Sequence, residues 1–160
     1  MGATKKRSPR RRTRVEAWES FLFEIEKVHS HYSFGDGSRL DRTAFSEHFQ
    51  PQLDATCIAP EKYKGRITSF TLIGDRPNER DLWLQTYALD KHETGVGTLT
   101  FRGERSDYLG SVPFDALWNV VATTLAGGFR FIYLHGAAMR NGSARIKSIS
   151  FYEDFDLENA

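Results

Sequence analysis

The sequence predicts an α+β domain that is mainly antiparallel β, a sandwich-like or curled sheet with one long helix near 112–126 and a C-terminal β-hairpin over 129–153. Several short segments rich in aromatic and β-branched residues, separated by Gly, Asp, Asn and Pro, indicate strands. One later segment carries a sustained helical spacing. Because the 160 residues supply enough apolar side chains for one core, we expect a single globular domain over 15–158.

Residues 15–30 admit two interpretations. Val15, Trp18 and Leu22 follow a helical spacing, whereas Phe21 and Phe23 alternate with polar residues as in a half-buried strand. Only the strand places both phenylalanines on one buried face. We therefore predict a strand over 20–32, although the sequence leaves the helix open.

The segment 33–42 is rich in Gly, Asp and Ser and predicts a loop, followed by a short helical turn around 42–48. Four further segments are bounded by turn residues and have the composition of strands, namely 52–58, 66–73, 81–89 and 97–103. Most of the chain before residue 104 is therefore expected to form antiparallel sheet.

The predicted helix near 112–126 rests on a stripe of apolar residues and on its two ends. Phe114, Leu117, Val121 and Leu125 recur at helical spacing, and Pro113 suits the first turn. The Gly-Gly pair at 127–128 supplies a C-terminal stop. This pattern is typical of an amphipathic core helix, and we assign it no chemistry.

Residues 129–153 predict a long hairpin that turns at Asn141-Gly142, because a two-residue type I′ turn needs a positive φ at both positions. The turn sets four facing apolar pairs, namely Ile132 with Phe151, Leu134 with Ile149, Ala137 with Ile146 and Met139 with Ala144. The first two pairs lie on one face of the hairpin and the last two on the other. Gly136 lies where the face changes, so we predict a bulge or sharp bend there.

The clearest compositional signal is a basic N-terminal segment, residues 1–14, which we call the tail. It has no acidic residue and seven cations: Lys5, Lys6, Arg7, Arg10, Arg11, Arg12 and Arg14. The other 15 Lys and Arg stand against 21 Asp and Glu, so the rest of the chain has a net charge of about −6. We expect the tail to be disordered in isolation and to bind nucleic acid or another polyanion with a salt-sensitive Kd of ~10⁻⁴ to 10⁻⁶ M. The alternatives for the tail are a nuclear localisation signal, a contact with an anionic membrane, or a segment without a function.

Two groups of residues are candidates for catalysis or metal binding. His29 and His31 have the spacing that places two imidazoles on one face of a strand, and a carboxylate such as Asp36 could complete a site for zinc or iron. In the predicted hairpin, His135 faces Ser148 and Tyr133 faces Ser150, which are ordinary cross-strand polar pairs. A hydrolase would also need an orienting acid and oxyanion donors, and the chain has no GxSxG motif.

The single cysteine, the hydropathy of the chain and its lack of nucleotide-binding motifs argue against several classes of function for this sequence. Cys57 is the only cysteine and is expected to be buried and unreactive, with no disulfide. No apolar stretch reaches the roughly 20 residues that span a bilayer, so we expect an intracellular protein, cytoplasmic or, in a eukaryote, nuclear. No nucleotide-binding motif is present, and we predict no cofactor.

These observations favour a non-enzymatic binding or accessory protein, in which an acidic β-rich scaffold makes protein contacts and carries the tail for a polyanion. One alternative is a small metal-dependent enzyme that uses His29, His31 and a nearby carboxylate, so enzymatic activity stays open. The other is a subunit of a larger assembly or a self-associating protein. Trp18, Trp83 and Trp118 are candidate contact residues for that assembly.

Overall fold

The computed structural model describes residues 17–36, 45–75 and 95–156. These residues form seven strands, one helix and one 3-10 turn. The strands are β1 (Trp18–Asp36), β2 (Phe45–Ala59), β3 (Ile67–Asp75), β4 (Gly97–Arg102), β5 (Arg105–Pro113), β6 (Phe131–Ala137) and β7 (Ser143–Tyr152). The helix, α1, spans Phe114–Leu125, and the 3-10 turn spans Glu61–Tyr63.

The seven strands close into a barrel in the order β1-β2-β3-β5-β4-β7-β6, with β6 hydrogen-bonded back to β1. β3 and β5 run parallel, and every other neighbouring pair is antiparallel. The prediction of a sandwich-like or curled sheet with a long helix is therefore wrong. Composition and periodicity show that segments are strands, but they do not reveal that the first strand pairs with the sixth. The helix lies where it was predicted, but it has only 12 residues.

β1 confirms the strand interpretation of residues 20–32 and extends beyond it. Phe21 and Phe23 are fully buried inside the barrel. A register shift between Ile25 and Lys27 changes the alternation, so that Val28 also packs against the core. β1 includes 33–36, predicted as loop, and β2 includes 45–48, predicted as a helical turn. The predicted strand at 81–89 lies outside the described residues.

The C-terminal hairpin follows the predicted register as far as Gly136. Ile132 pairs with Phe151 and Leu134 with Ile149, and positive φ values at Asn141 and Gly142 form the turn. The register shifts between His135 and Gly136, as predicted. Of the two pairs predicted beyond the shift, Ala137 with Ile146 is wrong, because Gly136 faces Ile146. Met139 and Ala144 lie outside the paired part of the ladder, and next to the turn Arg140 bridges Ser143 in the predicted register. The extra residue in β7 lets Ala144, Ile146, Ile149 and Phe151 all pack into or against the core.

Aromatic and aliphatic side chains fill the interior of the barrel. The largest fully buried ones there are Tyr108, Phe21, Phe23, Phe70, Leu53, Leu72, Leu99, Leu117, Ile132, Leu134 and Ile146. Leu117 and Val121 of α1 belong to this core, so the helix covers the end of the barrel where β3 and β5 stop. Tyr63 of the 3-10 turn packs on Phe21 and Phe101 between β2 and β3, which closes the barrel at the other end of these strands.

β5 was not predicted. Its alternation places Tyr108, Gly110 and Val112 in the interior, but Gly110 interrupts the run of apolar side chains. Gly110 lies under the ring of Tyr108, where an added Cβ would come within 2.6 Å of ring atom Cε1. The glycine therefore provides space for a neighbouring aromatic ring, which composition alone does not indicate. None of the helices in the described part of the chain has the length and apolar character to cross a bilayer.

Candidate functional site

Four side chains on the outer face of β1 and β6 form the Trp18 cluster, which consists of Trp18, Ser20, Tyr133 and His135. β1 alternates, so that Trp18 and Ser20 point away from the barrel interior that holds Phe21. The closure of the barrel places Ser20 directly opposite His135. Residues more than 110 positions apart in the chain thereby meet on one surface.

Hydrogen bonds and ring stacking fix the geometry of this cluster. Tyr133 Oη donates to Ser20 Oγ at 2.7 Å, and Ser20 Oγ lies 3.1 Å from His135 Nδ1. The imidazole of His135 stacks on the indole of Trp18, with 5.5 Å between ring centroids and 10° between ring planes. Trp18 nevertheless stays 52% exposed. The cluster therefore holds an indole on the surface in a defined orientation.

The start of β1 is also fixed through its backbone. Ala138 N donates to the carbonyl oxygen of Ala17 at 2.8 Å. The carboxylate of Glu19 accepts a hydrogen bond from Met139 N at 3.1 Å and forms an ion pair with Lys62. These contacts hold the point at which the tail joins the barrel.

The C-terminal residues pack beside the Trp18 cluster. The ring of Phe155 stacks on Tyr133 at 5.7 Å between centroids and meets Tyr152 edge-on at 5.4 Å. Leu22 is opposite Tyr133 in the register and is 1% exposed. Tyr133, whose hydroxyl holds Ser20, is thus itself held by packing on its ring.

The predicted polar pairs of the hairpin form, but the contact between serine and histidine comes from another strand. His135 faces Ser148 and Tyr133 faces Ser150 in the register. The hydroxyl within hydrogen-bond distance of His135 belongs to Ser20 of β1. Sequence analysis did not single out Ser20, although its position two residues after Trp18 on the outer face follows once β1 is assigned as a strand.

The chemistry of this cluster fits binding better than nucleophilic catalysis. A serine beside a histidine becomes a nucleophile only with an acid that orients the imidazole and donors that hold an oxyanion. Here Ser20 Oγ accepts from Tyr133, and one face of the imidazole is covered by Trp18. The described contacts therefore orient an aromatic surface.

The two histidines of the proposed metal site lie on the outer face of β1. They are paired with Gln52 and Gln50 of β2, and both are exposed. His29 Nε2 lies 3.2 Å from Asp54 Oδ2, a partner that the sequence did not indicate. The side chain of Asp36 lies outside the described residues. Among the side chains that the structure describes, no three His, Cys, Asp or Glu are grouped as metal ligands.

Cys57 lies in the barrel interior with no exposed surface. Burial raises the pKa of its thiol from 9.0 to about 11. The thiol also donates to the carbonyl oxygen of Ala59 at 3.3 Å. A protonated and inaccessible thiol is a poor nucleophile, in agreement with the sequence prediction.

The seven cations of the tail lie outside the described residues. The sequence nonetheless fixes where they attach, because Arg14 precedes Trp18 by four residues. Four residues span at most about 14 Å. The positive charge of the tail therefore begins close to the Trp18 cluster.

A second exposed surface lies on β3, β5 and β4, across the barrel from the Trp18 cluster. Ile67, Ile73 and Leu109 are 63%, 44% and 52% exposed. Leu109 lies between Thr71 of β3 and Thr98 of β4 in the register. We call these five residues the Leu109 face, a surface of apolar and threonine side chains on neighbouring strands.

Comparison of the chain with protein-family models, curated proteins and solved structures finds no match in any of the three.

Proposed function

We propose that the protein is a non-enzymatic binding protein, in which the barrel is a scaffold for contacts and the tail binds a polyanion, with nucleic acid as the first choice. The observation that carries this proposal is the division of charge. The tail has seven cations and no acidic residue, whereas the rest of the chain has a net charge of about −6. Such a body repels phosphates, so the attraction belongs to the tail.

The architecture supports a scaffold role. The interior of the barrel is occupied by core side chains, so the outer surface is where a partner would bind. The Trp18 cluster presents an oriented aromatic ring on that surface, close to the start of the tail. Large aromatic side chains with defined rotamers are common contact residues in binding sites.

Fluorescence anisotropy tests the proposal directly. Residues 1–160 and 15–160 are titrated against labelled duplex DNA and single-stranded RNA at about 50 and 200 mM salt. Tail-dependent binding that weakens by up to about 10³- to 10⁴-fold over this range is expected if most of the seven cations contact phosphates. Equal binding by the two chains at either salt concentration would refute the polyanion part of the proposal.

A second candidate function is a subunit role in a larger assembly, which the Leu109 face favours. Ile67, Ile73 and Leu109 remain exposed on adjacent strands, a surface suited to a protein contact. Sedimentation velocity over a concentration series tests self-association. Leu109→Lys is expected to abolish any dimer without changing the fold, and a wild-type protein that stays monomeric throughout would exclude a second copy as the partner.

A further inference from the structure

The indole of Trp18 has two ring faces in different environments. The imidazole of His135 stacks on one face, with 5.5 Å between the ring centroids and 10° between the ring planes. The residue is still 52% exposed. About half of the residue's surface is therefore still open to a ligand. A flat, open aromatic face is a surface on which another planar group can stack.

This ring is held in place before any ligand arrives. Tyr133 is hydrogen-bonded to Ser20, Ser20 is within hydrogen-bond distance of His135, and His135 stacks on the indole. The backbone of Ala17 is bonded to Ala138 beside it. A ring that is already oriented loses little conformational freedom on binding, so more of the stacking energy appears as affinity.

The location of the ring identifies a class of ligand. The cations of the tail begin four residues before Trp18 and attract phosphates. In a duplex the bases are stacked on each other and present only their edges, whereas the bases of a single strand can stack on an aromatic side chain. A positively charged segment beside an aromatic platform is the combination by which proteins bind single-stranded nucleic acid with little sequence preference.

We propose that Trp18, backed by His135, is a base-stacking platform that makes the protein prefer single-stranded over duplex nucleic acid. This proposal rests on the proposed function, since the tail would supply the phosphate contacts. Ser20 and Tyr133 are positioning residues, because they act through the orientation of His135.

The test separates stacking from phosphate contact. Anisotropy is measured with three probes, an oligodeoxyadenylate of about 20 nucleotides, an abasic strand of the same length, and the duplex of that oligonucleotide. The abasic strand keeps the phosphates and lacks the bases. We expect Trp18→Ala to weaken binding of the oligodeoxyadenylate by about 5- to 100-fold and to leave the abasic strand and the duplex within about twofold.

Leu125→Ala is the control. Leu125 is a large apolar side chain that is 65% exposed, but it is the last residue of α1 and belongs to neither the Trp18 cluster nor the Leu109 face. We expect this variant to bind all three probes as the wild type does. Trp18→Phe keeps a flat ring and should restore most of the affinity for the oligodeoxyadenylate, which shows that an aromatic face is required.

The outcomes distinguish this inference from the proposed function. If Trp18→Ala changes affinity for all three probes equally, or for none, Trp18 does not stack on bases and the inference is wrong while tail binding stands. If residues 1–160 bind no probe better than residues 15–160, the polyanion function fails and the inference fails with it. A protein that binds only duplex also contradicts the inference.

Discussion

Gly136 provides a sharp test of how the hairpin is built. We expect Gly136→Ala to lower the free energy of unfolding by about 2–4 kcal/mol. A Cβ at Gly136 would come within 2.8 Å of Ile146 Cα and closer still to the carbonyl oxygen of Arg145. Ordinary contacts begin near 3.4 Å, so β7 would have to move by at least about 0.6 Å.

β7 is not free to move in this way. Ile146 pairs with Gly97 of β4, and Val96 N donates to the carbonyl oxygen of Ile146 at 2.8 Å. Overpacking of about 1–3 kcal/mol therefore adds to about 1 kcal/mol for a strained or lost hydrogen bond. The corresponding fall in Tm is about 5–15 °C for a chain of this length.

Urea unfolding followed by circular dichroism measures the effect, with Gly128→Ala as the control. At Gly128 the nearest atom to an added Cβ is a side-chain atom, Thr123 Cγ2, at 2.8 Å. Since the loss of a glycine stabilises both variants through the unfolded chain by about 0.4–1 kcal/mol, the difference between them isolates the clash with the backbone. If Gly136→Ala unfolds within about 0.5 kcal/mol of Gly128→Ala, our account of the bulge is wrong.

Three further predictions concern the core. The free energy of unfolding should fall by roughly 2–3 kcal/mol between pH 9 and about 11 through Cys57, because the thiol ionises in the unfolded chain before it does so in the barrel. Urea unfolding of Cys57→Ala should lack this fall. If the wild type and Cys57→Ala lose the same stability over this pH range, the burial argument is contradicted. Gly110→Ala should lower the free energy of unfolding by about 2–4 kcal/mol, because its Cβ meets the ring of Tyr108. The double variant Gly110→Ala/Tyr108→Leu should lose less stability than the two single variants added together. Strict additivity would show that the two residues do not interact. Trp118→Ala should cost about 1–2.5 kcal/mol, since its indole stacks on Phe49 at 3.8 Å between centroids; unchanged thermal unfolding would mean that this stack does not secure α1 to the barrel.

The parts of the fold that the sequence predicts are those set by local chemistry. Asn141-Gly142 dictates the turn and hence the register from Ile132 to His135, and Gly136 marks the bulge because the face of the apolar residues changes there. Phe21 and Phe23 decide between strand and helix for β1, because only a strand buries both. Each of these inferences uses residues that are close together in the chain.

The parts that were missed depend on contacts between distant segments. The pairing of β1 with β6 turns an open sheet into a barrel, and no periodic pattern within either strand records its partner. The bonds among Ser20, His135 and Tyr133 follow from that closure, so the Trp18 cluster was equally hidden. β5 was missed because Gly110 leaves space for a ring that belongs to Tyr108.

The closure between β1 and β6 has a consequence for the newly made chain. β1 is the first of the seven strands to be synthesised. Its partner on the second edge is β6, which ends at Ala137. At about 5–20 residues per second, roughly 100 further residues take about 5–20 seconds to emerge from the ribosome. During that interval the backbone groups of residues 18–24 that later pair with β6 have no partner there, so this edge of β1 is available for wrong pairing until the last hairpin is made.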